Sequence, residues 1–306
     1  ALAWHGAGFT GSGEVKLASV ASLELTDGGR IRILTASTEM GQGTKTIFPQ
    51  LVADALGIDY DEVEIAPQDT ALVPDSGPTV ASRTAMVVGG LLIRAAEKLR
   101  ALVEERTGRG FAESYREAGP LRIDERFTPY PGVPFDDATY QGDAYPAFGW
   151  AAAVARVDVD LDTAEVTVRE YTAADDIGHV IHPVLAEGQV EGGSLQAVGY
   201  ATTEEMKLVD GRYLNDRLAT YLIPTALDAP HIRTILVEKP FSGAPHGAKG
   251  VGELPMDVGA PAVIAAIHDA TGVWIHDLPA TPERILAALT GGPMPPPPGI
   301  SLEERS

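Results

Sequence analysis

A pattern that occurs twice along the chain constrains the fold more than any other feature. Residues 20–36, "VASLELTDGGRIRILTA", alternate apolar and polar positions on both sides of a central turn, and residues 154–171 repeat this arrangement. Alternation on two sides of a short turn is typical of a β-hairpin. Each hairpin is followed by a loop of small residues and then by a helical pattern. We therefore predict an α+β fold of two α/β lobes, built from mixed sheets and helices.

Apolar residues at helical spacing indicate five helices. The first hairpin is followed by helices near 46–57 and 83–106, and the second by a helix near 183–203. Two more are predicted at 260–272 and 281–292, because each has proline in its first turn and glycine after its last. The helix near 183–203 is rich in glycine, which favours close approach of another backbone or of a ligand.

A segment without periodicity is predicted to separate the two lobes. Residues 1–115 form the predicted first lobe, and 116–139 form a crossing loop rich in glycine, proline and aromatic residues. The predicted second lobe, 140–290, carries the loop of Glu253. Residues 291–306 are predicted to form a proline-rich C-terminal arm that is solvated or lies on a partner.

Composition excludes several classes of function. The 306 residues include no cysteine, which excludes disulfides, thiolate catalysis and cysteine-bound iron–sulfur clusters in this chain. The formal net charge of −20 repels phosphate groups, so we expect no nucleic-acid partner. There is no apolar run long enough for a membrane span and no charged-then-apolar leader. We expect a cytoplasmic protein.

Five segments are unusually rich in small residues. They are 8–13, 40–43, 75–85, 191–199 and 246–253. Loops of this kind present backbone N–H groups to anions or oxo groups. None has the spacing of a phosphate-binding P-loop or of a dinucleotide fingerprint. Five of them in one chain indicate a large, oxygen-rich ligand bound at one place.

Four stretches give these segments a recognisable order along the chain. They are "MGQGTKTIFPQLVADALGI", "DTALVPDSGPTVASRTAMVVGG", "QVEGGSLQAVGYATTEEM" and "GAKGVGELPMDVGAPAVIAAIHDATG". Over residues 4–290 the chain resembles the C-terminal part of the molybdenum-binding large subunit of the xanthine dehydrogenase and aldehyde oxidase family. The resemblance implies the molybdopterin-binding fold of that family. Motifs of the preceding half are absent, so it further implies a split subunit, as in nicotinate-dehydrogenase-like enzymes.

The resemblance also implies roles for individual residues. Glu253, in "KGVGE", matches the catalytic base of the family, and Phe9 and Thr10 match a pair that contacts heterocyclic substrates. For Phe9, core packing is the alternative. The metal is held by the cofactor, so no protein side chain is implied as a metal ligand. The implied cofactor-binding residues are Met40, Gly41, Gln42, Ala81, Ser82, Arg83, Thr84, Ala85 and Gln196.

The implied activity is oxidative hydroxylation of an aromatic N-heterocycle of the purine or nicotinate type. Water is the oxygen source and Glu253 the base, which we expect to be shielded from water. The implied cofactor is molybdenum-molybdopterin, with or without a cytosine dinucleotide. The other half of the molybdenum subunit, an iron–sulfur subunit and an FAD subunit are the implied partners. Aldehydes or carbon monoxide as substrates, a non-catalytic assembly half-subunit and a free-standing binding module are the alternatives.

Simpler interpretations apply to several charged residues. Arg83 is either a surface ion-pair partner or a residue whose backbone contacts the cofactor, and Lys249 is a candidate ion-pair partner to which no catalytic role is assigned. His179 and His182 are three residues apart and precede a proline, unlike the i, i+4 pair of zinc-protease helices. We therefore expect structural roles for both. His246 is a weak candidate for lining the pocket.

Overall fold

The computed structural model describes residues 1–293, so most of the predicted C-terminal arm, 294–306, lies outside the described residues. In that part of the chain, no helix is long and apolar enough to cross a membrane. The strands are β1 (Leu2–Gly6), β2 (Val20–Leu25), β3 (Ile31–Leu34), β4 (Val63–Ile65), β5 (Leu121–Arg126), β6 (Phe135–Asp136), β7 (Gln141–Gly142), β8 (Phe148–Val159), β9 (Val166–Asp176), β10 (Leu208–Val209), β11 (Arg212–Tyr213) and β12 (His231–Val237).

The α-helices agree with the five predicted ones and add three short helices. A π-helical segment, Thr84–Val88, runs directly into the third α-helix. Short 3₁₀ turns lie at Tyr60–Glu62, Tyr115–Glu117 and Pro245–Gly247. The α-helices are α1 (Gly13–Leu17), α2 (Thr44–Leu56), α3 (Gly89–Thr107), α4 (Phe111–Ser114), α5 (Pro183–Thr202), α6 (Leu254–Asp257), α7 (Gly259–Thr271) and α8 (Pro282–Thr290).

Two four-stranded sheets organise the molecule. The first has the order β4-β3-β2-β5 and the second the order β1-β8-β9-β12. In each sheet the central hairpin is antiparallel, one edge strand is antiparallel and the other edge strand is parallel. Both parallel edge strands follow a helix, in β2-β3-α2-β4 and in β8-β9-α5-β12. The predicted α+β fold of two mixed-sheet lobes is thereby confirmed.

Strand pairing crosses the lobe boundaries predicted from the sequence. β1, at the start of the predicted first lobe, pairs with β8 in the second sheet, where Leu2 lies opposite Ala152. β5, inside the predicted crossing loop, pairs with β2 in the first sheet. These two edge strands were not predicted, because each is held by pairing with a strand distant in sequence. The lobe boundaries stay a prediction.

Each sheet has its own apolar core. In the first lobe, α2 and α3 cover the sheet, and Leu23, Ile33, Phe48, Leu92 and Leu99 are fully buried. In the second lobe, helices α5 to α8 pack against β8 and β9. Of the five small-residue segments, 8–13, 40–43, 75–85 and 246–253 lie largely in loops between strands and helices, whereas 191–199 lies inside α5.

Candidate active site

Three of the glycine-rich loops meet at one place. The backbone N–H of Gly8 donates to the carbonyl oxygen of Ala81 at 2.9 Å. The backbone N–H of Glu253 donates to Ser82 Oγ at 3.0 Å. The loops 8–13, 75–85 and 246–253 are therefore joined through two adjacent residues, as the expectation of one shared ligand site requires.

Close backbone contact explains why glycine is needed in the loop before Glu253. A side-chain carbon at Gly250 would overlap the carbonyl oxygen of Ser82, and one at Gly178 would overlap the carbonyl oxygen of Gly247. Ala81 and Ser82 both have positive φ, 54° and 47°, which non-glycine residues rarely adopt. Strained backbone of this kind persists only where its surroundings hold it, and it clusters at functional sites.

A buried ion pair fixes the Glu253 loop to the second sheet. Lys249 Nζ donates to Asp176 Oδ2 at 2.8 Å and to the carbonyl oxygen of Phe148 at 3.1 Å. Both side chains of the pair are almost fully buried. Removing one partner of such a pair would leave an uncompensated buried charge. Lys249 thus has the ion-pair role that the sequence predicts.

Glu253 lies immediately before α6, with its carboxylate directed to the first strand of the second sheet. Glu253 Oε2 is 3.0 Å from His5 Nε2. The side chain is 49% exposed, so the expectation of a carboxylate shielded from water is wrong for the described chain. The exposure arises because no part of this chain covers the end of the loop within residues 1–293.

Two residues beside Glu253 were missed by the sequence reasoning. His5 contacts Glu253 through one ring nitrogen, and its Nδ1 lies 2.8 Å from Asp257 Oδ2. His5 and Glu253 are 248 positions apart in sequence, so no local pattern could have joined them. Asp257 follows "KGVGELP" by two positions and lies one helical turn from Glu253, which is the only available signal.

Arg83 is buried and acts inside the protein. Its guanidinium forms a two-pronged ion pair with Glu14 at 2.8–3.1 Å and donates to Ser19 Oγ at 2.7 Å. It also donates to the carbonyl oxygens of Ser76 and Pro78. These bonds tie the loop 75–85 to the segment that begins at Phe9. The ion-pair interpretation was correct in kind, but the pair is buried and not on the surface.

The amide of Gln42 is used within its own loop. Its Nε2 donates to the Thr38 carbonyl oxygen at 2.6 Å and to Thr44 Oγ1 at 2.8 Å. Its Oε1 accepts from the backbone N–H of Met40 at 2.7 Å. Gln42 therefore shapes the loop 40–43 as well as facing a cleft.

Glu39 occupies most of the remaining N–H groups of that loop. Its carboxylate accepts from the backbone N–H groups of Gly41, Gly43 and Lys45 at 2.8–3.0 Å. Burial opposes ionisation of Glu39, but these bonds outweigh it and hold its pKa below the usual value. In this structure the loop's N–H groups are thus satisfied internally rather than directed outward. The sequence reasoning missed Glu39, although an acid directly before a glycine-rich helix start is a recognisable signal.

One cleft connects the first and second lobes at this end of the molecule. Gln42, Ala85, Gln189, Lys249 and Val251 are among the residues that line it. Thr84 and Ala85 open the helical run that continues into α3, where the first N–H groups have no partner within the helix. The cleft therefore joins the predicted cofactor-binding loops 40–43 and 75–85 to the loop that carries Glu253.

The helix α5 runs past Glu253 on the other side. Its Gly193 packs against Pro255, two residues after Glu253, and an added side-chain carbon would crowd Pro255 Cβ at 3.0 Å. Gln196, three residues further along, is exposed. At Gly188 and Gly192 an added side-chain carbon would meet nothing within 4 Å. Glycine therefore serves packing at one of these positions and leaves open space at the other two.

Phe9 and Thr10 lie on the third loop. Phe9 lines a small cavity of about 50 Å³ together with Met86, Phe127 and Tyr130. Thr10 Oγ1 is 2.6 Å from the Tyr145 hydroxyl. Both side chains are half-buried, so the structure gives Phe9 a packing role beside its predicted contact with substrate.

His179, His182 and His246 have structural contacts, although His179 and His182 also line the cleft. Leu185 N–H donates to His182 Nδ1 at 3.3 Å, so His182 caps α5, while His179 lies 3.3 Å from Glu238. His246 has a positive φ and lies 3.3 Å from Asp54. Between residues 1 and 293, no three acidic or histidine side chains are placed to hold a metal ion.

The loop 40–43 and the exposed face of α5 leave space for a large cofactor. Met40, Gly41 and Gln196 are exposed, and an added side-chain carbon at Gly41 would meet nothing within 4 Å. Small residues thus leave space beside a polar rim, which is what a bulky oxygen-rich group requires. A family model described as "Molybdopterin cofactor-binding domain" matches residues 1–230. The chain belongs to the molybdopterin cofactor-binding domain family.

Similar proteins extend this assignment. The chain is 32% identical over 314 residues to a probable xanthine dehydrogenase subunit of Bacillus subtilis, covering 94% of this chain and 41% of that protein. It is 29% identical over 299 residues to the gamma subunit of the 6-hydroxypseudooxynicotine dehydrogenase complex of Paenarthrobacter nicotinovorans, covering 88% of this chain and 37% of that protein. The chain thus spans about two fifths of the length of these relatives. The resemblance to the molybdenum-binding subunit of the xanthine dehydrogenase and aldehyde oxidase family is confirmed.

Solved structures show the same relationship. The aldehyde oxidoreductase from Desulfovibrio gigas superposes with a TM-score of 0.84 at 30% identity, covering 95% of this chain and 32% of that chain. Quinoline 2-oxidoreductase from Pseudomonas putida 86 superposes with a TM-score of 0.81 at 27% identity, covering 95% and 41%. The molybdopterin-binding domain therefore has the fold that the sequence resemblance implied. Glu253 lies beyond the residues that the family model matches.

Proposed function

We propose that this molybdopterin-binding chain is part of a molybdenum hydroxylase and supplies its general base, Glu253. The observation that carries the proposal is the position of Glu253, where the loops 8–13, 75–85 and 246–253 meet in a chain of this family. The Ser82 hydroxyl holds the backbone of Glu253 and the His5 imidazole contacts its carboxylate. A carboxylate fixed in this way beside open space is placed to accept a proton from a bound reactant.

The cofactor is proposed to lie in the space between the loop 40–43, the start of the helical run at Thr84 and the exposed face of α5. Gln196 would offer a neutral amide donor, and Gln42 would do so by exchanging its bonds to Thr38 and Thr44. Ser82, Thr84 and Ala85 would offer backbone N–H groups. Met40 and Gly41 would contact the pterin. The Arg83 side chain is buried against Glu14 and its backbone N–H donates to the Val80 carbonyl oxygen, so Arg83 would act by holding the loop 75–85 in place. A bound molybdenum centre supplies oxygen transfer and accepts the two electrons.

Glu253 is proposed to take the proton from the water-derived oxygen nucleophile as that oxygen attacks substrate. Ser82 fixes the backbone of Glu253 and His5 fixes its carboxylate. The half-exposed side chain would become covered by the cofactor, the substrate and the remainder of the subunit. Covering a carboxylate strengthens it as a base, because burial disfavours the charged form.

The substrate is proposed to be an aromatic N-heterocycle of the purine or nicotinate type. Relatives named for xanthine, 6-hydroxypseudooxynicotine and quinoline support this class, and Phe9 offers an aromatic ring beside the loop 75–85. An aldehyde is the second candidate, favoured by the fold match to an aldehyde oxidoreductase, and carbon monoxide is the third. Turnover with one substrate of each class, measured on the assembled enzyme, distinguishes them.

The assembled enzyme is proposed to contain the remainder of the molybdenum subunit, an iron–sulfur subunit and an FAD subunit. The Bacillus subtilis and Paenarthrobacter nicotinovorans relatives are both named as subunits of a dehydrogenase, which supports partners for this chain. A cytoplasmic location, the cytosine dinucleotide form of the cofactor and a split subunit stay predictions.

Molybdenum content tests whether this chain needs a partner. We expect the chain expressed alone to contain little molybdenum, because its cofactor surface is open on one side. Co-expression with its partners should restore one metal per chain, measured by elemental analysis. A full complement of metal in the isolated chain would contradict the need for a partner.

The role of Glu253 is tested with Glu253→Gln in the assembled enzyme. We expect steady-state turnover to fall by roughly a hundredfold to ten-thousandfold, as for loss of a general base, with molybdenum content unchanged. Glu97→Gln, at an exposed position on α3, is the matched control and should keep wild-type turnover. Undiminished turnover in Glu253→Gln would exclude Glu253 as the base.

A further inference from the structure

The carboxylate of Glu253 belongs to a row of three titratable side chains. His5 Nε2 lies 3.0 Å from Glu253 Oε2, and His5 Nδ1 lies 2.8 Å from Asp257 Oδ2. One imidazole therefore bridges two carboxylates, with one ring nitrogen on each. Glu253 directly precedes the single turn of α6 and Asp257 is its last residue, and this i, i+4 spacing places both carboxylates on one side of the turn.

The number of protons in this bridge follows from the chemistry of imidazole. A neutral ring has one N–H donor and one unprotonated nitrogen, and an ionised carboxylate can only accept. Two hydrogen bonds therefore need one proton more than a neutral ring and two carboxylates contain. Both contacts are hydrogen bonds at the same time only when one of the three groups holds this additional proton. The three side chains are thus arranged to hold and exchange a proton.

The ring is held in place from several directions. β1 pairs with β8 through its whole length, which sets His5 opposite Gly149. The Ser82 hydroxyl holds the backbone of Glu253 on the far side. The His5 side chain is 24% exposed, whereas that of Asp257 is 40% exposed. Glu253 itself is 49% exposed, so the bridging ring is the most covered of the three side chains. Once the cofactor and the remainder of the subunit cover Glu253, as proposed above, the row would connect it to Asp257 at the surface of this chain.

We propose that His5 positions the Glu253 carboxylate and, with Asp257, passes the proton taken up at Glu253 to solvent. This inference rests on the proposed function of Glu253 as the base. To that proposed function it adds His5 as a positioning residue and a proton route through His5 and Asp257. Glu253 could act as a base without either of them.

The steps conserve protons and transfer no electrons. The O–H bond of protonated Glu253 breaks as an N–H bond forms at His5 Nε2, which returns Glu253 to its ionised form. The imidazolium then gives its Nδ1 proton to Asp257 Oδ2, and Asp257 gives it to water. The neutral ring regains its Nδ1–H form by exchange with water, which reaches the partly exposed side chain.

The bridge is tested first on the full chain without cofactor, by ¹⁵N–¹H NMR of the histidine ring nitrogens. We expect an Nδ1–H signal of His5 that is lost in Asp257→Ala. Glu253→Gln should shift the Nε2 resonance of His5, and His276→Gln, at an exposed position, should change neither signal. Ring signals of His5 that are unaffected by both substitutions would overturn the bridge.

The proton route is tested on the assembled enzyme. We expect His5→Gln to lower kcat by roughly a hundredfold, the contribution of one proton-transfer group, while KM and molybdenum content stay near wild type. Added imidazole should restore part of the turnover of His5→Ala, which a purely structural role would not allow. Wild-type kcat in His5→Gln, or a loss that imidazole does not rescue, would overturn the route.

Two outcomes separate this inference from the proposed function. Full turnover in Glu253→Gln would remove the base and the route together. Loss of turnover in Glu253→Gln, with full turnover in His5→Gln, would leave Glu253 as the base and overturn the role of His5 alone.

Discussion

A buried acid on β9 gives a quantitative prediction for stability. Asp175 is fully buried, and neither carboxylate oxygen has a hydrogen-bond partner among the described residues. Burial raises the pKa of Asp175 from 3.8 to about 6. The folded state therefore binds this proton more tightly than the unfolded state does. The Asp175 carboxylate consequently destabilises the fold once it ionises.

The sign and size of the effect of Asp175 on the free energy of unfolding follow from the linkage between protonation and folding. Between about pH 4 and pH 6 the folded chain holds more protons at Asp175 than the unfolded chain, so this group lowers stability as pH rises through that window. A shift of about two pKa units corresponds to about 3 kcal/mol at pH 8. Asp175→Asn removes the charge with little change in shape. We expect the variant to be more stable than wild type by up to this amount at pH 8, and by almost nothing at pH 4.

The assay is urea unfolding of both proteins at four pH values between 4 and 8. The difference between the two free energies of unfolding is plotted, because contributions of other titrating groups then cancel. Asp277→Asn, at an exposed position, controls for the change in net charge. A difference that does not vary with pH, or a variant less stable than wild type at pH 8, would refute the reasoning.

Two further predictions concern the loops that place Glu253. Gly250→Ala should destabilise the chain by about 1–3 kcal/mol or more, because the new carbon would overlap the Ser82 backbone, whereas Gly252→Ala in the same loop should cost less than about 0.5 kcal/mol by urea unfolding. Equal effects would contradict the packing account. Arg83→Met should cost about 3–5 kcal/mol by leaving Glu14 buried and unpaired, and adding Glu14→Leu should recover most of this loss. A double variant no more stable than Arg83→Met would argue against the buried pair.

Local patterns predicted the elements whose stability is decided locally. The hairpins β2-β3 and β8-β9 follow from alternation around a turn. The helices α2, α3, α5, α7 and α8 follow from apolar spacing with glycine or proline at their ends. The strands β1, β5 and β12 were missed, because they are edge strands whose partners lie far away in sequence. β5 and β12 do alternate in burial, and a search for short alternating runs could have found them.

In the site, too, some features were predictable from local sequence and others were decided by distant contacts. Glycine-rich segments predicted where loops would meet, and Gly250 and Gly178 show the backbone contacts that require glycine. The direction of side chains was not predictable: Arg83 turns inward to Glu14, and Gln42 bonds within its own loop. His5 could not be found, because its contact with Glu253 exists only after the second sheet has formed.

The central claim is that Glu253 accepts the proton in the chemical step. Its most direct test is the rate at which substrate reduces the assembled, oxidised enzyme in a single anaerobic turnover, followed by absorbance. Wild type and Glu253→Gln are compared at equal molybdenum content, so that cofactor loss cannot imitate a catalytic defect. We predict that the reduction rate of Glu253→Gln is lower by roughly a thousandfold or more. A reduction rate within a few-fold of wild type would contradict the claim.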